Sequence, residues 1–131
     1  MYTMKEVCNL TNLNYETLKY YCNQGLIPNL KRDKNNYRIF SKMDVEWIKG
    51  LKCLKKCDLS IKQMKTYVDL CFEGDSSIPM RKKILADQKT ELLEQLNQIK
   101  KSLTFIDYKQ KFYDDVLLGK IESFNGYEIF D

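Results

Sequence analysis

Tyr15, Lys19 and Tyr20 recur at helical spacing in "YETLKYYC", and Lys31, Arg32, Lys34 and Arg38 crowd around Asn35-Asn36 a few residues later. Such side chains donate hydrogen bonds to phosphate oxygens, and the arginine fork matches phosphate geometry. Acid–base and metal chemistry have less to work with. The 131 residues contain no histidine, the commonest general base and metal ligand. No Gly-rich phosphate loop or paired-carboxylate pattern takes its place, so an enzyme is not indicated. The five cysteines are Cys8, Cys22, Cys53, Cys57 and Cys71. Cys53 and Cys57 lie four apart on one helical pattern and could bind a soft metal as a pair, but two ligands make an incomplete site. No metal site and no cofactor are expected. The N-terminus "MYTMKEVCNL" carries Glu6 and lacks the long apolar core of an export signal. An odd cysteine count in such a chain points to reduced thiols and a cytoplasmic location.

Charge is unevenly spread. Residues 1–66 carry 13 Lys/Arg against 6 Asp/Glu, a net +7, whereas residues 67–131 carry 9 against 12, a net −3. A basic half joined to a mildly acidic half suggests a polyanion-binding module followed by something else. The blander alternative is a lysine-rich solvated surface. No apolar run approaches the roughly 18 residues that cross a bilayer, so no membrane partner is expected.

The elements that must position these residues announce their own starts. Thr3 with Glu6 fits a capping box, as do Ser60 with Gln63 and, more weakly, Ser41 with Asp44; Asn14 is a good N-cap. These predict four short helices, at about 4–11, 15–24, 42–57 and 61–72. Gly25 suits a left-handed helix end, and Pro28 blocks continuation. Asn35-Asn36 can supply the positive φ values of a tight turn, so "IPNLKR" and "YRIF" are expected to pair as a small β-hairpin wing. "EGDSSIP" reads as a loop. A long helix follows from about Met80 to Leu117, with Leu92, Leu96, Ile99, Leu103 and Ile106 stepping by fours and threes as a heptad seam. At about 1.5 Å per residue such a helix reaches about 57 Å, more than one small domain covers. A homodimer through a coiled coil is the simple solution; packing on the preceding helices is the alternative. The expected organisation is a DNA-binding domain over 1–73, a loop over 74–79, a dimerisation helix over 80–118 and a C-terminal tail over 119–131.

The first two helices are joined by the short turn "LTNLN", and helix, tight turn, helix is the helix-turn-helix arrangement, whose second helix enters the major groove. On that second helix Leu18, Tyr21 and Cys22 fit an inward face, while Tyr15, Glu16, Lys19, Tyr20 and Asn23 fit an outward one.

These stretches resemble the DNA-binding domain of the MerR family of bacterial transcription regulators. The landmarks are Tyr2–Val7, "TLKYY" at Thr17–Tyr21, "GLIP" at Gly25–Pro28, "RDKNNYR" at Arg32–Arg38, "FSKMD" at Phe40–Asp44 and "LSIKQM" at Leu59–Met64. The long helix follows where the family has one, and the resemblance spans about residues 2–117. It implies a mainly α fold: a winged helix-turn-helix domain followed by a long helix that forms an antiparallel coiled coil. It also implies binding of a palindromic promoter operator as a homodimer, with DNA distortion that lets RNA polymerase engage. The DNA contacts it implies are Tyr15, Thr17, Lys19, Tyr20, Lys31, Arg32, Tyr37 and Arg38. Two departures stand out. Lys19 replaces the usual Arg and so suits a phosphate more than a base edge. Asn36 replaces the usual wing Gly, and Asn tolerates that backbone.

The effector is less constrained. The chain lacks the cysteines with which metal-sensing members hold their ions, and 131 residues leave no room for the large effector domain of drug-sensing members. "IKGLKCLKKCDLSI" resembles the short members that respond to aldehydes or thiol-reactive stress, whose sensor cysteine aligns with Cys53. Lys49, Lys52 and Lys56 flank it in sequence, and nearby cations favour a reactive thiolate. The alternative is a small buried apolar filler. Cys8 and Cys22 read as core. Two further alternatives are a repressor of the same fold without a sensor, and a coiled-coil interaction module.

Overall fold

The computed structural model describes residues 1–121. Each of the first four helices starts where a side chain accepts a backbone N–H that would otherwise lack a partner. Helix α1 (Met4–Thr11) is closed by the Thr3–Glu6 box, with both reciprocal bonds formed, and α2 (Tyr15–Asn23) by Asn14 Oδ1 accepting from Thr17 N at 2.7 Å. Helix α3 (Lys42–Lys56) has the complete Ser41–Asp44 box and α4 (Ile61–Glu73) the Ser60–Gln63 box. Each such cap contributes about 1 kcal/mol.

The end of α2 decides where the wing begins. Gly25 has φ 72°, its N–H donates to Cys22 O and the Leu26 N–H reaches back to Tyr21 O, both at 3.1 Å. That pairing is the Schellman arrangement, which needs a left-handed residue at Gly25. Leu26 is thereby turned into the core. Two strands follow, β1 (Lys31–Arg32) and β2 (Arg38–Ile39), antiparallel with Lys31 opposite Ile39 and Arg32 opposite Arg38. The turn differs from the expectation that both asparagines adopt positive φ. Asn36 does, at 65°, and Asn35 does not. Asp33 organises the loop instead: its Oδ1 accepts from Asn35 N at 2.8 Å and Tyr37 N at 3.0 Å. A short acceptor side chain that bonds the backbone two residues on makes a longer turn than a two-residue hairpin allows.

One core holds these pieces. Val7 from α1, Leu18 and Tyr21 from α2, and Leu26 bury against Phe40, Val45, Ile48 and Leu51, with Leu59, Met64 and Val68 closing the far side. Polar ties cross it. Trp47 Nε1 donates to Leu26 O at 2.8 Å, and Lys52 Nζ donates to Thr11 O at 2.8 Å. The second tie puts a cation on the carbonyl end of α1, the sign that the helix dipole favours. Tyr2 and Phe40 exchange backbone bonds at 2.7 and 2.9 Å, tying the N-terminus to the wing.

The break after α4 is shorter than the expected 74–79 loop. A 3-10 turn occupies Asp75–Ser77, and α5 runs from Ile78 to Leu117 rather than starting near Met80. Pro79 fits inside its first turn because the N–H it lacks would have no intrahelical acceptor there. The joint is tightly bonded. The buried Ser77 hydroxyl sits against the carbonyls of Leu70 and Gly74 and accepts from Arg81 Nε, while Arg81 Nη2 donates to Gly74 O at 2.7 Å. Two compact units divide the chain, Met1–Thr90 and a second beginning at Glu91, so the division falls within α5. In the first unit Ile84 packs against the core. In the second, Leu96, Ile99, Leu103 and Ile106 are each about half exposed, and Leu92 is partly covered. No described helix is long and apolar enough to cross a membrane. Residues 122–131, most of the expected tail, lie outside the described residues.

Candidate nucleic-acid interface

Helix α2 presents Tyr15, Glu16, Lys19 and Tyr20 to solvent, while Leu18 and Tyr21 are buried behind them. Thr17 is half-buried in the first turn, its N–H held by Asn14. The helical repeat thus separates a packed side from a side of hydroxyl and ammonium donors. The turn before α2 is fixed from behind. Thr11 Oγ1 donates to Val7 O at 2.7 Å, and Asn12 takes a left-handed φ of 58°. The helix-turn-helix angle therefore follows from local hydrogen bonds and from Lys52.

The wing presents Lys31, Arg32, Lys34 and Tyr37 in exposed positions. Its two arginines also have structural partners. Arg32 Nη1 donates to Asn36 O at 2.8 Å, closing the turn. Arg38, half-buried, donates from Nη2 to Asn23 Oδ1 at 2.7 Å. That bond braces the wing against the last residue of α2, so that α2 and the wing form one surface. A guanidinium has five N–H donors, and one such bond leaves capacity for a phosphate. The brace is invisible to sequence reading because its partners are 15 residues apart and nothing local links them.

The cysteines divide by environment. Cys8 and Cys22 are partly buried against the core. Burial pushes both thiols above their ordinary range, at Cys22 against the pull of Arg38 and Arg32. Cys53 and Cys57 are exposed, so Cys53 is no buried filler. The lysines around Cys53 are partly committed elsewhere. Lys49 pairs with Glu46 at 3.1 Å, and Lys52 points its ammonium at Thr11 O. Two polar contacts in this region were not legible beforehand: Lys52 to Thr11, and Gln88 Nε2 donating to Cys57 O at 2.7 Å.

A helix-turn-helix with a braced wing, a donor-rich exposed face and a long helix with an uncovered apolar stripe defines a DNA-binding regulator of the winged-helix class. Comparison with known proteins makes this specific. Residues 2–71 match the MerR HTH family regulatory protein profile. An uncharacterized HTH-type transcriptional regulator of Haemophilus influenzae is 30% identical over 125 residues, covering 95% of this chain and 93% of that protein. The HTH-type transcriptional regulator AdhR of Bacillus subtilis is 38% identical over 89 residues, 68% of this chain and 64% of that protein. Among solved structures, HiNmlR, a MerR family regulator lacking the sensor domain and bound to promoter DNA, superposes with a TM-score of 0.74 at 30% identity, covering 90% of this chain and 94% of that one. A putative MerR family transcriptional regulator from Listeria monocytogenes gives 0.79 at 28% identity, covering 91% and 90%. The chain belongs to the MerR family of helix-turn-helix transcription regulators and is not an enzyme.

Proposed function

We propose that this regulator acts as a homodimer whose α5 helices pair in an antiparallel coiled coil and present two copies of α2 and the wing to a palindromic promoter operator. Exposed Tyr15, Lys19, Tyr20, Lys31, Arg32 and Tyr37, with Thr17 and Arg38, grip the phosphates on each half-site. RNA polymerase is reached only through the DNA. The observation that carries this reading is the Arg38–Asn23 brace, which fixes two donor-bearing elements as one surface. The exposed stripe at Leu96, Ile99, Leu103 and Ile106 supports the dimer, since half-covered aliphatic side chains gain by burial against a second copy. HiNmlR, a similar chain, is described as bound to promoter DNA. Distorting a 20–30 bp site costs on the order of 1–6 kcal/mol, to be met by such backbone contacts.

The effector in this reading is a thiol-reactive electrophile or aldehyde captured at Cys53. Its exposure supports the role, since a reagent can reach it without opening the core. In transcription assays on the chain's own upstream DNA, Cys53→Ala should keep operator binding and lose the response to an aldehyde. Normal induction by that variant would remove Cys53 from the account.

A further inference from the structure

Cys57 has a position that sensing at Cys53 does not use. It is the C-cap of α3, at φ −77° and ψ 7°, and Asp58 beyond it turns left-handed at φ 68°. Its N–H donates to Cys53 O at 3.1 Å, one helical turn back, so the two exposed thiols share a face. Its carbonyl accepts a 2.7 Å bond from Nε2 of Gln88, a buried amide on α5 that is 9% exposed. The second thiol of the pair is therefore hydrogen-bonded through its own backbone to the helix proposed to dimerise.

We propose that Cys53 and Cys57 together form a two-thiol oxidation site for peroxides, closing to an intrachain disulfide whose formation pulls on Gln88. The Cys53 thiolate attacks one peroxide oxygen, the O–O bond breaks and water leaves, giving a sulfenic acid. The Cys57 thiolate then attacks that sulfur and displaces its oxygen as a second water. Two thiols and one hydrogen peroxide become one disulfide and two waters. Geometry supplies the consequence. Helical neighbours four apart hold their Cβ atoms about 5–6 Å apart. A disulfide needs about 3.5–4.5 Å. Closure must draw Cys57 inward by roughly 1–2 Å on these spacings. A residue at the helix end, already leaving α3, can make that move without unwinding the helix. The move displaces the carbonyl that accepts from Gln88, and a buried amide whose acceptor shifts is strained or left unpaired, which alters the balance at α5. The inference extends the Cys53 reading with a second residue and a second class of reagent.

Trypsin cuts at Lys55 and Lys56, between the two cysteines, so the bond is read directly. The full chain is treated with an excess of hydrogen peroxide, alkylated without reductant and digested. Fragments 53–55 and 57–62 should be recovered joined, from protein that runs as a single chain on a non-reducing gel. Cys57→Ser should lose the joined fragments, carry Cys53 on to sulfinic acid and still respond to an aldehyde. Alkylated Cys57 beside an overoxidised Cys53, or a 53–57 link only between chains, overturns the proposal. The two readings fail separately. A missing link with an aldehyde response that needs Cys53 sinks only the disulfide. A link present while Cys53→Ala still responds to aldehyde sinks only the electrophile sensor.

Discussion

Replacing Ile99 by alanine tests the proposed seam at its midpoint. Ile99 is 56% exposed in the single chain, so roughly half of its side chain remains to be covered by a partner. Full burial of an aliphatic side chain of this size is worth about 1.5–3 kcal/mol, so the remaining half contributes about 1–1.5 kcal/mol. Twofold symmetry counts the loss twice, giving about 2–3 kcal/mol, or a dimer dissociation constant raised about 30- to 150-fold. Ile99 lies in the second unit and is not a residue of the α1–α4 core, so the far-ultraviolet spectrum and the core's thermal transition should be preserved at concentrations where the dimer persists. Sedimentation equilibrium across a concentration series reads the constant. An unchanged association curve for Ile99→Ala would show that the stripe faces something other than a second copy.

Two other expectations follow from the described contacts. Asn36 holds a left-handed φ of 65° in the wing turn, so Asn36→Gly should be neutral or slightly stabilising, while Asn36→Val should cost about 1–2 kcal/mol in denaturant unfolding; equal stability of the two would show that the turn is not constrained there. Cys53 and Cys57 are exposed, whereas burial raises the Cys8 and Cys22 thiols, so a maleimide pulse at neutral pH should label the first pair well before the second. Uniform labelling of all four in the folded chain would contradict this division.

How much was legible in the sequence depended on the range of the interaction. Caps were legible because donor and acceptor sit three residues apart: Thr3–Glu6, Ser41–Asp44 and Ser60–Gln63 all form their reciprocal bonds. Gly25 was legible for the same reason, since its Schellman bonds span Tyr21 to Leu26. The wing turn was half legible. Asn36 could be assigned to a positive φ, but the choice between Asn35-Asn36 alone and an Asp33-centred loop depends on where the strands pair. The start of α5 was misplaced because Pro79 and Gly74 read as breakers. Pro is tolerated in a first helical turn, and the bonds of Ser77 and Arg81 secure the joint. The ties that shape the interface join residues far apart in sequence: Arg38 to Asn23, Lys52 to Thr11, Trp47 to Leu26 and Gln88 to Cys57. Polar side chains with many possible partners leave no periodic signal, so only packing selects among them.

The central claim, that a twofold molecule holds DNA by phosphates through α2 and the wing, is tested most directly by measuring affinity for the DNA upstream of the chain's own gene as salt is raised. Lys19, Lys31, Arg32, Lys34 and Arg38 on each of two protomers place an upper limit near ten phosphates. Each neutralised phosphate contributes about −0.9 to the slope of log K against log salt, so a slope between about −5 and −9 with two chains per duplex is expected. A shallow slope, or one chain per duplex, would contradict it.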